Sequence, residues 1–430
     1  MQGAGGSRVY LHIGEPKTGT TFVQEAMWGN RAQLAAQGVV LPGYSHRDHS
    51  RASRDLREAQ RLASDPADRW AGEWDVLTGQ ALRVRGTAVI SDEVLAACNP
   101  PQAGRGVRSL LTAEVHVVLT VRDIASLLPA EWQETVKCRG TVPWEQWLAG
   151  VVGSASAAGR RRRSWFWAVH DTLAILDMWS RHIPPDRVHV ITVPRQGPAG
   201  ALWERFASVL RIDSSGIDPP PTRVNWSLGL AEAEFLRRMN EALPGEMPDW
   251  FYTRIIKQIL AHNVLSTRPP QARLELPPAQ QAWARGQSEL LVAGLHDSNC
   301  HIVGDLRDLL SQPATGRHVA PASLPAQLLL PAAVQAAAAL ADHLYRESYP
   351  AKRQPERPRG LRQRVSKLEW TILNGPGTRR VLRNASHLAP VRRLRVLIWR
   401  VLLHPARHHP NPAPAADLDD RRPLSAAPRA

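Results

Sequence analysis

The stretch Arg8-Val9-Tyr10-Leu11-His12-Ile13-Gly14-Glu15-Pro16-Lys17-Thr18-Gly19-Thr20-Thr21 decides the fold. Its first six residues read as a short buried strand. Residues 20–28 carry Phe22, Val23, Ala26 and Met27 at helical spacing and read as the helix that follows. Between them lies a tight turn bounded by Gly14 and Gly19. The N–H groups of such a turn, joined by those of a helix start, form a cradle for an anion. Gly14 and Gly19 have the spacing of the phosphate loop G-x-x-x-x-G-K-[ST]. Yet Thr20 stands where the lysine should follow, and Lys17 sits inside the turn instead.

Working outward, short apolar runs recur at Val39–Leu41, Thr87–Ser91, Val115–Thr120, Val188–Val193 and His301–Val303. Helical patterning falls between them, at about 127–137, 165–179 and 200–210. Residues 45–85 are polar and mostly helical, and 225–295 are helical. Apolar strands alternating with helices predict a parallel sheet covered on both faces. The expected architecture is a three-layer, P-loop-like α/β domain over residues 7–310. A linker and Ala-rich helix follow over 311–350, and a basic, Pro/Arg-rich, partly disordered tail over 351–430.

The net charge of +15 suggests nucleic acid until it is mapped. Residues 1–350 hold 36 basic and 34 acidic side chains, whereas residues 351–410 hold 15 and 2. The charge therefore belongs to the tail, where no nucleic-acid motif accompanies it, and nucleic acid is not an expected partner. In that tail Leu394, Leu397, Ile398 and Val401 oppose Arg392, Arg393, Arg400 and Arg407, an imperfect amphipathic pattern. Such a segment suits peripheral contact with an anionic membrane. Cys98, Cys138 and Cys300 form neither a disulfide framework nor a zinc spacing. Residues 1–6 lack signal-peptide regions, and no run of ~18 uninterrupted apolar residues is present. A cytoplasmic protein, with the inner membrane surface as a second location, is the expectation.

The run HIGEPKTGTTFVQ, residues 12–24, resembles the 5′-phosphosulfate loop of the sulfotransferase superfamily, whose core is P-K-[ST]-G-T-[ST]. The resemblance spans most of residues 8–310, but two short motifs carry its specificity. It implies a donor, 3′-phosphoadenosine-5′-phosphosulfate, held by Lys17, Thr18, Gly19, Thr20 and Thr21, and a direct in-line transfer without a metal. A sulfuryl group carries less charge than a transferring phosphoryl group, so one lysine and a set of N–H donors can serve where triphosphate chemistry uses magnesium. The second motif is an arginine at a later strand end, which Arg122 in VHVVLTVRD matches, followed by a serine on the next helix. Both grip the 3′-phosphate, and Arg suits that task through its planar fork of donors. Ala130 occupies the serine's place; Ser126, one turn earlier, is the substitute, and Arg223 is a further donor candidate.

The resemblance also implies a base, His or Glu, near the end of an intervening strand. Glu93 matches it, with Asp92 as the fallback; the bland alternative is that both merely start a helix. His12 reads as a core histidine, and His170 with Asp171 as a positioning pair inside one helix. Arg160–Arg163 and Trp165–Trp167 suit a carbohydrate or glycolipid acceptor, against the simpler reading of solvated arginines and core tryptophans. The acceptor, a hydroxyl or amine, is not identified by the sequence. Two alternatives stay open: a P-loop kinase of a small metabolite, and a catalytically silent nucleotide- or membrane-binding relative.

Overall fold

The computed structural model describes residues 7–57, 70–155, 164–198, 200–217, 227–268, 272–312 and 318–348. The chain divides into two units, Met1–Ser348 and Tyr349–Ala430, and the described residues belong to the first. Arg160–Arg163, Arg223 and the basic tail lie outside them.

Six strands form one sheet: β1 (Arg8–Gly14), β2 (Val39–Val40), β3 (Thr87–Ser91), β4 (Glu114–Val121), β5 (Val188–Thr192) and β6 (His301–Val303). Their order is β2-β3-β1-β4-β5-β6, and every pairing is parallel. Thus β1 sits centrally between β3 and β4, with Leu11 level with both Ile90 and Val117. The expected parallel α/β sheet is the observed one.

Strand alternation divides the core. Val9, Leu11 and Ile13 face one side, with Ile90, Val117 and Leu119, while Tyr10 faces the other, with Val89, Val118 and Ile191. The first side is covered by α3 (His46–Leu56), α4 (Glu73–Ala81) and α5 (Pro100–Arg108), which supply Leu56, Trp74 and Val107. The second is covered by α1 (Thr20–Gly29) and α2 (Arg31–Ala36), through Val23, Met27 and Leu34. Each such apolar side chain, once fully buried, contributes about 1.5–3 kcal/mol of transfer free energy.

A third core is helical. It joins α6 (Ile124–Lys137), α7 (Trp144–Ala155) and α8 (Trp165–His170), and takes in Trp132, Trp144 and Phe166. The expected single helix from Trp165 breaks at Asp171, where ψ is 73°, and α9 (Thr172–Ser180) turns back to cover the sheet. Beyond β5, α10 (Ala201–Leu210) places Trp203 and Phe206 against the sheet. α11 (Leu230–Ala242), a π-helix over Tyr252–Val264, α12 (Pro278–His296) and α13 (Ala326–Ser348) complete the unit. Leu329, Ala332 and Ala336 bury α13's inner face in the helical core. By length and composition α13 could cross a membrane, although no uninterrupted apolar run announces it.

Candidate active site

The turn after β1 owes its shape to three left-handed residues. Gly14 has φ 93°, and a Cβ there would lie 2.7 Å from the Cβ of Glu93. Gly19 has φ 83°, and a Cβ there would collide with Leu202. The third is Lys17 at φ 60°, a conformation that costs a non-glycine residue about 1–3 kcal/mol.

A buried network holds the turn in this form. The Glu15 amide donates to the Thr120 carbonyl at 2.9 Å. The Thr18 hydroxyl donates to the Glu15 carbonyl at 2.5 Å and meets the Thr120 hydroxyl at 2.6 Å. Thr18 is fully buried, and its side chain ties the turn to β4. The Glu15 carboxylate accepts from the Thr172 hydroxyl at 2.5 Å and pairs with His170 Nδ1 at 3.3 Å. On its other edge His170 faces Glu131 at 3.7 Å. Burial alone would lower the His170 pKa, but Glu131 and Glu15 outweigh it and raise it to about 9. His170 thus lies between two carboxylates that favour its charged form, Glu15 being the nearer at 3.3 Å.

Above the turn opens a cleft of about 1930 Å³ at the C-terminal ends of the strands, where open α/β sheets collect ligands. Lys17, Gly19, Thr20, Thr21, Glu93, Arg122 and Ser126 all line it, so sequence-distant candidates come together in one space. Arg122, following β4, lies mostly buried with an Nη atom 3.5 Å from the Lys17 carbonyl. Asp123 caps α6 by accepting from the Ser126 amide at 2.9 Å. Ser126 and Ala130 then face the cleft one helical turn apart.

Glu93 begins a 3-10 turn at the cleft wall and accepts from Gln24 Nε2 at 3.1 Å. Asp92 points elsewhere. It caps that turn through the Val94 amide at 3.0 Å and accepts from the Ser50 hydroxyl at 2.5 Å. Burial, and then the neighbouring Glu93, push its pKa up to about 7. His12 is enclosed as well, against the Ser91 hydroxyl at 2.8 Å and the edge of Phe206, and burial pushes its pKa down to about 3.

Three charged residues, Glu134, Lys257 and Lys137, escaped sequence reasoning. Lys17 Nζ lies 2.6 Å from one oxygen of Glu134, and Lys257 Nζ lies 2.6 Å from the other. Burial would raise the Glu134 pKa, but the two ammonium groups together hold it well below the usual carboxylate range. Next to them Lys137 lines the cleft, its pKa lowered by burial to about 8. Lys257 belongs to the π-helix, an irregularity that often marks functional sites. Glu134 was visible in the sequence only as one more acid on α6. Trp147, Trp165, Phe166, Arg268 and Arg273 also line the cleft, so the space that takes in the anion turn is extended and partly aromatic.

No family model matches the chain, and no curated protein is similar to it. Among solved structures, a sulfotransferase from Alicyclobacillus acidocaldarius is similar at 13% identity and a TM-score of 0.35. The likeness covers 54% of this chain and 92% of that one.

Proposed function

We propose that the chain is a sulfotransferase that moves a sulfuryl group from 3′-phosphoadenosine-5′-phosphosulfate to an acceptor hydroxyl or amine. One observation carries the reading: a glycine-bounded anion turn delivers Lys17, from a left-handed position within it, into a cleft shared with Arg122 and Glu93. In a triphosphate loop the lysine follows the second glycine; here it lies two residues before Gly19.

In this reading the turn and Lys17 hold the phosphosulfate, and Arg122 takes the 3′-phosphate, with Ser126 beside it. The donor's phosphosulfate replaces Glu134 as the partner of Lys17. The acceptor atom forms a bond to sulfur as the bond from sulfur to the bridging oxygen breaks. Adenosine 3′,5′-bisphosphate departs, its developing charge met by Lys17, and the acceptor's proton passes to Glu93. Holding donor and acceptor in line supplies much of the acceleration.

The test is calorimetry with adenosine 3′,5′-bisphosphate, followed by turnover of labelled donor with a fractionated cell extract. Glu93→Gln is expected to bind the bisphosphate as the parent does and to transfer no label. Undiminished transfer by that variant removes Glu93 from the mechanism. Selective binding of ATP with Mg²⁺, and none of the bisphosphate, replaces the reading with a kinase.

A further inference from the structure

We infer that the outer face of α13, together with Trp250 and Phe251 just before the neighbouring π-helix, docks the protein on an anionic lipid surface. While Leu329, Ala332 and Ala336 turn inward, Leu330, Val334, Leu344 and Tyr345 point outward with relative exposures of 60–65%. Their spacing of four, ten and one places them along one side of the helix.

The π-helix lies antiparallel to α13. Arg254 pairs with Glu347 at 3.2 Å near one end, and Arg268 donates to the Pro331 carbonyl at 2.9 Å near the other. Trp250 and Phe251, just before the π-helix, therefore stand at the same end as Leu344 and Tyr345. Both are exposed, Trp250 at 67%, with their rings packed edge to face at 5.7 Å. Clustered large apolar side chains on a water-facing edge mark an interaction surface. A Trp, Phe, Tyr and Leu set has the composition of a water–lipid boundary, where amphipathic rings settle at headgroup level. Two acids on α13 are paired, Glu347 with Arg254 and Asp342 with Arg346 at 2.8 Å, and Asp249 beside Trp250 lies 3.6 Å from Arg139.

Charge chooses the occupant. From Ser348 the sequence runs on into residues 351–410, with 15 basic and 2 acidic side chains. Basic segments beside an apolar anchor are drawn to anionic headgroups. A second copy of the chain would bring a second such segment and be repelled. Because α13 keeps its inner face in the core, it lies along the surface and does not cross it.

Co-sedimentation of the full chain with vesicles tests this, using phosphatidylcholine with and without phosphatidylglycerol. The parent is expected to pellet with the anionic vesicles, less so as salt rises. Combining Trp250→Ser, Phe251→Ser, Leu344→Ser and Tyr345→Ser is expected to weaken that binding about tenfold or more with the melting temperature unchanged. The inference is overturned if the four-site variant binds as the parent does, or if the parent ignores anionic vesicles. It is equally overturned if sedimentation velocity shows a parental dimer that the variant loses.

Discussion

Two strand-to-helix turns meet at the cleft, and they are built on opposite plans. The turn from β1 to α1 takes five residues and shapes itself with left-handed main chain at Gly14, Lys17 and Gly19. The turn from β4 to α6 takes only Arg122 and Asp123, one reaching toward the cleft and the other capping the helix. The first offers a concave run of backbone; the second offers one long side chain on a rigid stop. An anion held by both is gripped by amide dipoles on one side and a guanidinium on the other. The two turns should therefore fail in different ways.

The sharpest test of that contrast is Lys17→Ala. In the proposed reading it removes the charge that meets the leaving group while leaving the Glu15 and Thr18 supports of the turn in place, so turnover is expected to fall about 10²–10³-fold in single-turnover assays. A loss below threefold would make the turn a passive scaffold. Arg122→Ala comes next. Removing one charged hydrogen-bonding group should weaken adenosine 3′,5′-bisphosphate about 10–100-fold by calorimetry. Arg122→Lys should restore only part of this, since an ammonium cannot reproduce the planar fork.

A third test separates the turns by pH. The folded pKa of His170 is raised to about 9 from 6.5, so its pairing with Glu15 and Glu131 stabilises fully below about pH 6.5 and fades as pH rises through about 9. Melting temperatures followed across that window should decline, and His170→Gln should flatten the decline; an unchanged slope would deny the clamp. The smallest effect is expected at the second turn, where Asp123→Ala removes one cap and about 1 kcal/mol in urea unfolding.

The same contrast explains what the sequence could tell. The inner strands β1, β3, β4 and β5 were legible because parallel, doubly covered strands are contiguous apolar runs such as VHVVLT and VHVIT. The turn after β1 was legible because its shape is enforced by residues within it. The supports of that turn were not. Lys17 and Glu134 are 117 residues apart, and Glu15 and His170 are 155 apart. No local pattern encodes such a meeting, which depends on how α6 and α8 pack together in the helical core. Asp171 shows the limit from the other side: apolar periodicity ran through it, while the backbone turned there to bring His170 to the loop and Thr172 beneath it.

If Lys17 acts as proposed, its positive φ sets thermal robustness and chemistry against each other at one position. Glycine would accept that backbone without strain, so Lys17→Gly is expected to melt higher than Lys17→Ala while lacking the amine just as completely. A lineage selected only for durability would drift toward glycine there. In the proposed reading, an amine at so contorted a position is there for its chemistry and not for the stability of the turn.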